Sequence, residues 1–105
     1  MVFIESQVFS RLVYEYLTEE EYGALQHHLA AHPEAGVLVR GSAGARKVRW
    51  ASGSRGKSGG VRVVYYWITS DDQVLLLTIY AKNERGNLTA ADLKLISQKI
   101  RRLKQ

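Results

Sequence analysis

Lys47 and Arg49 stand two residues apart in the alternating stretch from Ala45 to Trp50. On a strand, such residues share one face with about 6–7 Å between them. That is close to the separation of successive phosphates along a single nucleic-acid strand. Arg62, beside a glycine-rich loop, and Lys82, at the end of a later apolar run, can join the same surface. Four converging cations would hold a phosphate and stabilise charge building up on it during a displacement.

A second constellation, "GSRGKSGG", invites a nucleotide-triphosphate reading. The motif G-x-x-x-x-G-K-[ST] needs glycine at position 51, which is Ala51. It must also open a helix whose N-terminus holds the phosphates. Here Val61 onward is the most strand-like segment of the chain. The loop is instead a cationic hairpin connection, with Arg55 and Lys57 placed to grip a nucleic-acid backbone and Gly59-Gly60 turning the chain into Arg62. His28 and His32 share a helix face, but no cysteine or nearby carboxylate completes a ligand set, so they read as solvated surface and no metal is expected.

These residues need a scaffold. Its 105 residues support one domain, 1–105, with a single modest core. Val2 to Ile4 form a short strand. A helix over about Ser6 to Leu17 carries Phe9, Leu12, Val13, Tyr16 and Leu17 at helical spacing. Thr18 and Glu21 make a capping box for a second helix, which carries Tyr22, Leu25 and Leu29 on one face and ends before Pro33. Strands follow over Ala45–Trp50, Val61–Ile68 and Gln73–Ala81. A last helix starts near Thr89, capped with Asp92, and places Leu93, Ile96, Ile100 and Leu103 in an apolar stripe. The fold class is α+β, in the order β-α-α-β-β-β-α. An antiparallel sheet is expected, with helices packed on one face.

Charge is segregated along the chain. Residues 1–34 hold six acids and one base, whereas residues 35–70 hold seven bases and no acid. A positive block of this kind usually answers to a polyanion, above all nucleic acid. The absence of cysteine excludes disulfides and thiolate chemistry, and the cytoplasm is the expected compartment. No apolar run spans a bilayer, so no membrane partner is expected.

Three stretches, "EYLTEEEYGALQHHLAAHPEAG", "GSAGARKVRWASGSRGKSGGVRVVYYW" and "LLLTIYAKNERGNLTAADLK", resemble the RelE/ParE superfamily of bacterial toxins, and most closely its HigB-type members. The resemblance implies a RelE-like small domain that cuts mRNA in the ribosomal A site. No metal or other cofactor is implied: the 2′-hydroxyl attacks the adjacent phosphate, leaving a cyclic phosphate and a free 5′-hydroxyl. The implied partners are mRNA, the ribosome with its rRNA, and a cognate antitoxin, with operator DNA reached only through the antitoxin. By position, Lys47 and Arg49 match the family's basic pair on the second strand. Arg62 matches the arginine that begins the third strand, and Lys82 the basic residue after the fourth.

Arg46, Arg55, Lys57, Asn83 and Arg85 are expected to contact RNA or ribosome. Where RelE carries a second arginine this chain has Asn83, and no tyrosine follows that turn. Clustered cations favour a neutral amine, so Lys47 and Lys82 are assigned to proton transfer and Arg49 and Arg62 to holding the phosphate. Two alternatives share the surface: a ParE-like gyrase inhibitor, and a non-catalytic RNA- or ribosome-binding module that stacks bases on Trp50, Tyr65, Tyr66 or Trp67.

Overall fold

A computed structural model describes residues 1–53 and 59–104. Arg55 and Lys57 therefore lie outside the described residues. Strand β1 (Val2–Glu5) leads into helix α1 (Gln7–Tyr16) and helix α2 (Glu19–Ala31). A two-residue strand, β2 (Val37–Leu38), precedes β3 (Arg46–Trp50), β4 (Val61–Ile68) and β5 (Gln73–Ala81), and helix α3 (Ala90–Leu103) closes the order. The five-stranded sheet runs β1-β5-β4-β3-β2. The pairings from β5 to β2 are antiparallel, whereas β1 lies parallel to β5.

The helix ends are set by their caps. Ser6 accepts from the Phe9 amide to start α1, and reciprocal bonds between Thr18 and Glu21 start α2. Thr89 and Asp92 do the same for α3. Each pair satisfies amides that the first helical turn would leave without partners.

The expectation of helices on one face is corrected. Phe9, Val13, Tyr22, Leu25 and Leu29 of α1 and α2 pack on Val61, Val63, Tyr65, Leu76 and Ile79. On the opposite face, Ile96 and Ile100 of α3 pack on Val64, Leu75, Leu77 and Tyr80. The central strands are apolar on both faces, so each face needs its own cover. The α3 stripe is narrower than expected, because Leu103 is 48% exposed. Among the described residues, no helix is long and apolar enough to cross a membrane.

An irregularity in β5 sets the direction of that strand's last residues. Val64 pairs with Thr78 but Tyr65 pairs with Leu76, so Leu77 is an extra residue in β5. Such a bulge reverses the alternation beyond it. Val74 and Leu76 join the α1–α2 core, yet after the bulge Ile79 and Ala81 take that side and Tyr80 turns toward α3. The Ser6 hydroxyl, in a buried residue, donates to the Leu77 carbonyl at 2.8 Å, and the Ser6 amide donates to the Leu76 carbonyl at 2.9 Å. The cap of α1 thus also clamps the bulge.

Candidate functional site

The register of β3 against β4 decides which cations meet. Arg46, Val48 and Trp50 oppose Tyr65, Val63 and Val61, which belong to the α1–α2 core. Lys47 opposes Val64, and Arg49 opposes Arg62 directly, on the α3 side of the sheet. Arg62 in turn opposes Tyr80. The bulge brings Lys82 to the same side, two residues beyond Tyr80. A Cβ built on Gly59 would lie 3.4 Å from the Lys82 Cγ, and the Arg62 Nη1 donates to the Gly59 carbonyl at 2.9 Å. Lys47, Arg49 and Arg62 therefore share the α3 side of the sheet, with Lys82 beside the Gly59 turn that Arg62 bonds.

Two guanidiniums directly opposite on paired strands repel. Their Cβ atoms stand about 4.5–5.5 Å apart in such a pair, and like charges there destabilise a sheet. Among the described residues, the ion pairs join the Met1 amino group to Asp72 and Arg85 to Asp92. None of the four site cations is neutralised by a described carboxylate. Arg49 and Lys82 are exposed, and Lys47 and Arg62 are half-buried. Each retains N–H groups for an incoming anion.

The approach to this surface is built from glycine. Gly59 and Gly60 have φ of +79° and +72°, and a Cβ on Gly60 would come within 2.6 Å of the Trp50 carbonyl oxygen. Only glycine accepts both the left-handed backbone and that approach. A strand, not a helix, follows at Val61, as the rejection of a nucleotide-triphosphate loop requires.

Tyr80 is the feature that sequence reasoning left without a role. It is the register partner of Arg62, its ring lies 5.1 Å from the Arg85 guanidinium carbon, and its buried hydroxyl has no partner among the described residues. Burial raises its pKa, only partly offset by Arg85 and Arg62, so the phenol stays protonated at neutral pH and can donate a hydrogen bond but not act as a base.

The remaining candidates separate from this group. Arg46 points to the other face, where its Nη1 donates to the Glu34 and Gly36 carbonyls at 3.2 and 2.9 Å. It fastens the α2–β2 connection, on the face opposite Lys47 and Arg49. Arg85 pairs with Asp92 and covers Tyr80, which ties the β5–α3 connection to the helix cap. Asn83 is exposed in that same connection.

The aromatics considered for stacking are occupied elsewhere. Tyr65 is fully buried, donates to the Pro33 carbonyl at 2.7 Å and accepts from the Gly36 amide at 2.9 Å. Trp50 Nε1 donates to the Glu21 carbonyl at 3.2 Å, and its ring sits against His28. Trp67 packs against the α1–α2 core, and Tyr66 lies under the Lys104 ammonium at 5.7 Å. His28 and His32 are ring neighbours at 5.5 Å. Among the described residues, no group of three or more His, Cys, Asp or Glu is close enough to hold a metal ion.

No family model matches the chain. Among solved structures, it is similar to a free-state variant of the E. coli toxin RelE carrying two arginine-to-alanine substitutions. The TM-score is 0.53 at 18% sequence identity, over 94% of this chain and 95% of that chain. The two share a fold, and the chain has a RelE-like α+β architecture.

Proposed function

We propose that the chain is a ribosome-dependent mRNA endoribonuclease toxin of HigB type, neutralised by a cognate antitoxin. The observation that carries the reading is the unneutralised cation group of Lys47, Arg49, Arg62 and Lys82 on one side of a RelE-like sheet. The direct opposition of Arg49 and Arg62 works against folding, and a bound phosphate would relieve it.

In the proposed reaction, Arg49 and Arg62 hold the scissile phosphate and stabilise the charge that develops on its oxygens. Lys47 or Lys82 takes the proton of the 2′-hydroxyl. The 2′-oxygen then forms a bond to phosphorus, and the 5′-oxygen leaves with its bonding electrons and takes up a proton. The products are a 2′,3′-cyclic phosphate and a 5′-hydroxyl. The protonated Tyr80 stabilises the site without removing a proton.

The non-catalytic stacking alternative has less support, because Trp50, Tyr65 and Trp67 serve the core. An acidic antitoxin segment laid over the basic surface would neutralise it by charge.

The test is brief induction of the chain in cells, followed by mapping of transcript 5′ ends. New ends within translated regions are expected, and they should vanish with Arg49→Ala or when translation is blocked. Intact messages alongside DNA damage signalling that survives loss of Lys47 and Arg49 would replace this reading with a gyrase-directed one.

A further inference from the structure

Beside Lys47 lies a recess of about 210 Å³ between β2 and the connection from β5 to α3. Pockets for drug-sized ligands run to roughly 300–1,000 Å³, so this one suits a single planar ring system. Its apolar walls include Val37, Leu88 and Leu93, and its polar groups are Arg40, Lys47 and Asn87. Val37 is the β2 register partner of Lys47, so the two stand side by side, and Val37 is 65% exposed. Leu93 packs near the Gly41 turn that carries Arg40, which holds the far wall in place. The Lys82 ammonium reaches toward the Gly86 carbonyl at 3.5 Å, so the same connection touches the phosphate surface at its other end.

We propose that this recess is a nucleobase subsite that selects the residue next to the cut. The inference rests on the ribonuclease reading. Single-stranded RNA is recognised by splaying out bases, packing their faces and bonding their edges. The recess offers an apolar slot for the face, and its mouth adjoins Lys47 of the cation group.

Its polarity also selects. The Asn87 Oδ1 accepts the Leu88 amide at 2.9 Å, which leaves the Asn87 amide nitrogen as a donor. Arg40 is a donor only. A recess bordered by these two donors favours bases whose edges present acceptors. Guanine offers O6 and N7, and uracil offers O4, whereas the exocyclic amines of adenine and cytosine would meet donors. The subsite therefore prefers keto bases to amino bases, and Arg40 favours guanine most.

The test uses the purified chain and ribosomes programmed with messages randomised around the A-site codon, with cut ends sequenced. The readout is the ratio of keto to amino bases at each flanking position, which does not depend on total rate. The wild type should favour keto bases at one position adjoining the cut, on the order of tenfold. Asn87→Asp, which exchanges the donor for an acceptor, should reduce or reverse that ratio there and leave other positions unchanged. Arg40→Gln, at an exposed position, should lower the guanine share at the same place.

Cutting with the same preference in the wild type and both variants would overturn the subsite and leave the nuclease reading intact. Absence of cutting by the wild type would overturn the nuclease reading and the subsite with it.

Discussion

Replacing Arg49 with glutamine should stabilise the protein while disabling it. Arg49 is exposed, opposes Arg62 across the β3–β4 ladder, and makes no ion pair with a described carboxylate. Removing its charge relieves a like-charge opposition worth roughly 0.2–1 kcal/mol. For a domain of this size, about 1 kcal/mol moves Tm by roughly 4–8 °C, so the gain should lie between about 1 and 8 °C in low salt.

Salt separates this effect from any change in packing. Raising ionic strength from 0.1 to 1 M shortens the Debye length from about 10 to about 3 Å. The advantage of Arg49→Gln over the wild type should therefore shrink toward zero in concentrated salt. Arg62→Gln is a poorer probe, because it also loses the bond to the Gly59 carbonyl, worth about 0.5–1.5 kcal/mol. Message cleavage by Arg49→Gln should fall about 100- to 1,000-fold, as when one donor to a developing oxyanion is removed. Thermal melts at both salt concentrations, run beside cleavage assays, check both halves. A lower Tm for Arg49→Gln in low salt, or a gain that 1 M salt leaves untouched, would refute the reasoning.

The scaffold itself makes three further outcomes testable. Ser6→Ala should cost about 2–4 kcal/mol, combining a lost helix cap with an unsatisfied buried carbonyl at Leu77, as read by chemical denaturation; a loss under about 1 kcal/mol would contradict the clamp. Gly60→Ala forces a side chain onto a left-handed backbone and against the Trp50 carbonyl, so folding should weaken by about 1–3 kcal/mol, and unchanged stability would show that the turn differs. In acid, the Asp92 carboxyl lies below its ordinary 3.8, because the Thr89 bonds and Arg85 outweigh the upward push of burial. Glu21 lies below its ordinary 4.5, held down by the Thr18 and Gly53 amides. Folded values below unfolded ones supply stability that is present above the ordinary carboxylate range and lost as pH falls through the folded values. The double variant Asp92→Asn with Glu21→Gln should flatten that acid limb in pH-dependent melts, and a limb like the wild type's would contradict it.

Much of the fold was legible in residue order, because local rules govern capping and alternation. Thr18-Glu21 and Thr89-Asp92 name their helix starts outright, and the Lys47/Arg49 alternation puts both on one face with no long-range information. What local rules could not supply was cover and phase. The two-sided apolarity of β4 and β5 says that both faces are buried, but not that α3 crosses to the face opposite α1 and α2. Strict alternation from Val74 would send Tyr80 and Lys82 toward the α1–α2 core. The extra residue at Leu77 reverses them, and its signal is a hydroxyl 71 positions away in sequence, Ser6. Arg46 was separated from Lys47 by the same alternation, and its bonds to the Glu34 and Gly36 carbonyls depend on where the α2–β2 connection returns.

The central claim is tested most directly by adding the purified chain to ribosomes halted with a defined codon in the A site. The cut ends are then analysed chemically. The account predicts a single cut within that codon on the ribosome, a 2′,3′-cyclic phosphate on the upstream fragment, and loss of cutting in Arg49→Gln and Arg62→Gln. An uncut message, or cutting by the two variants equal to that by the wild type, would contradict it.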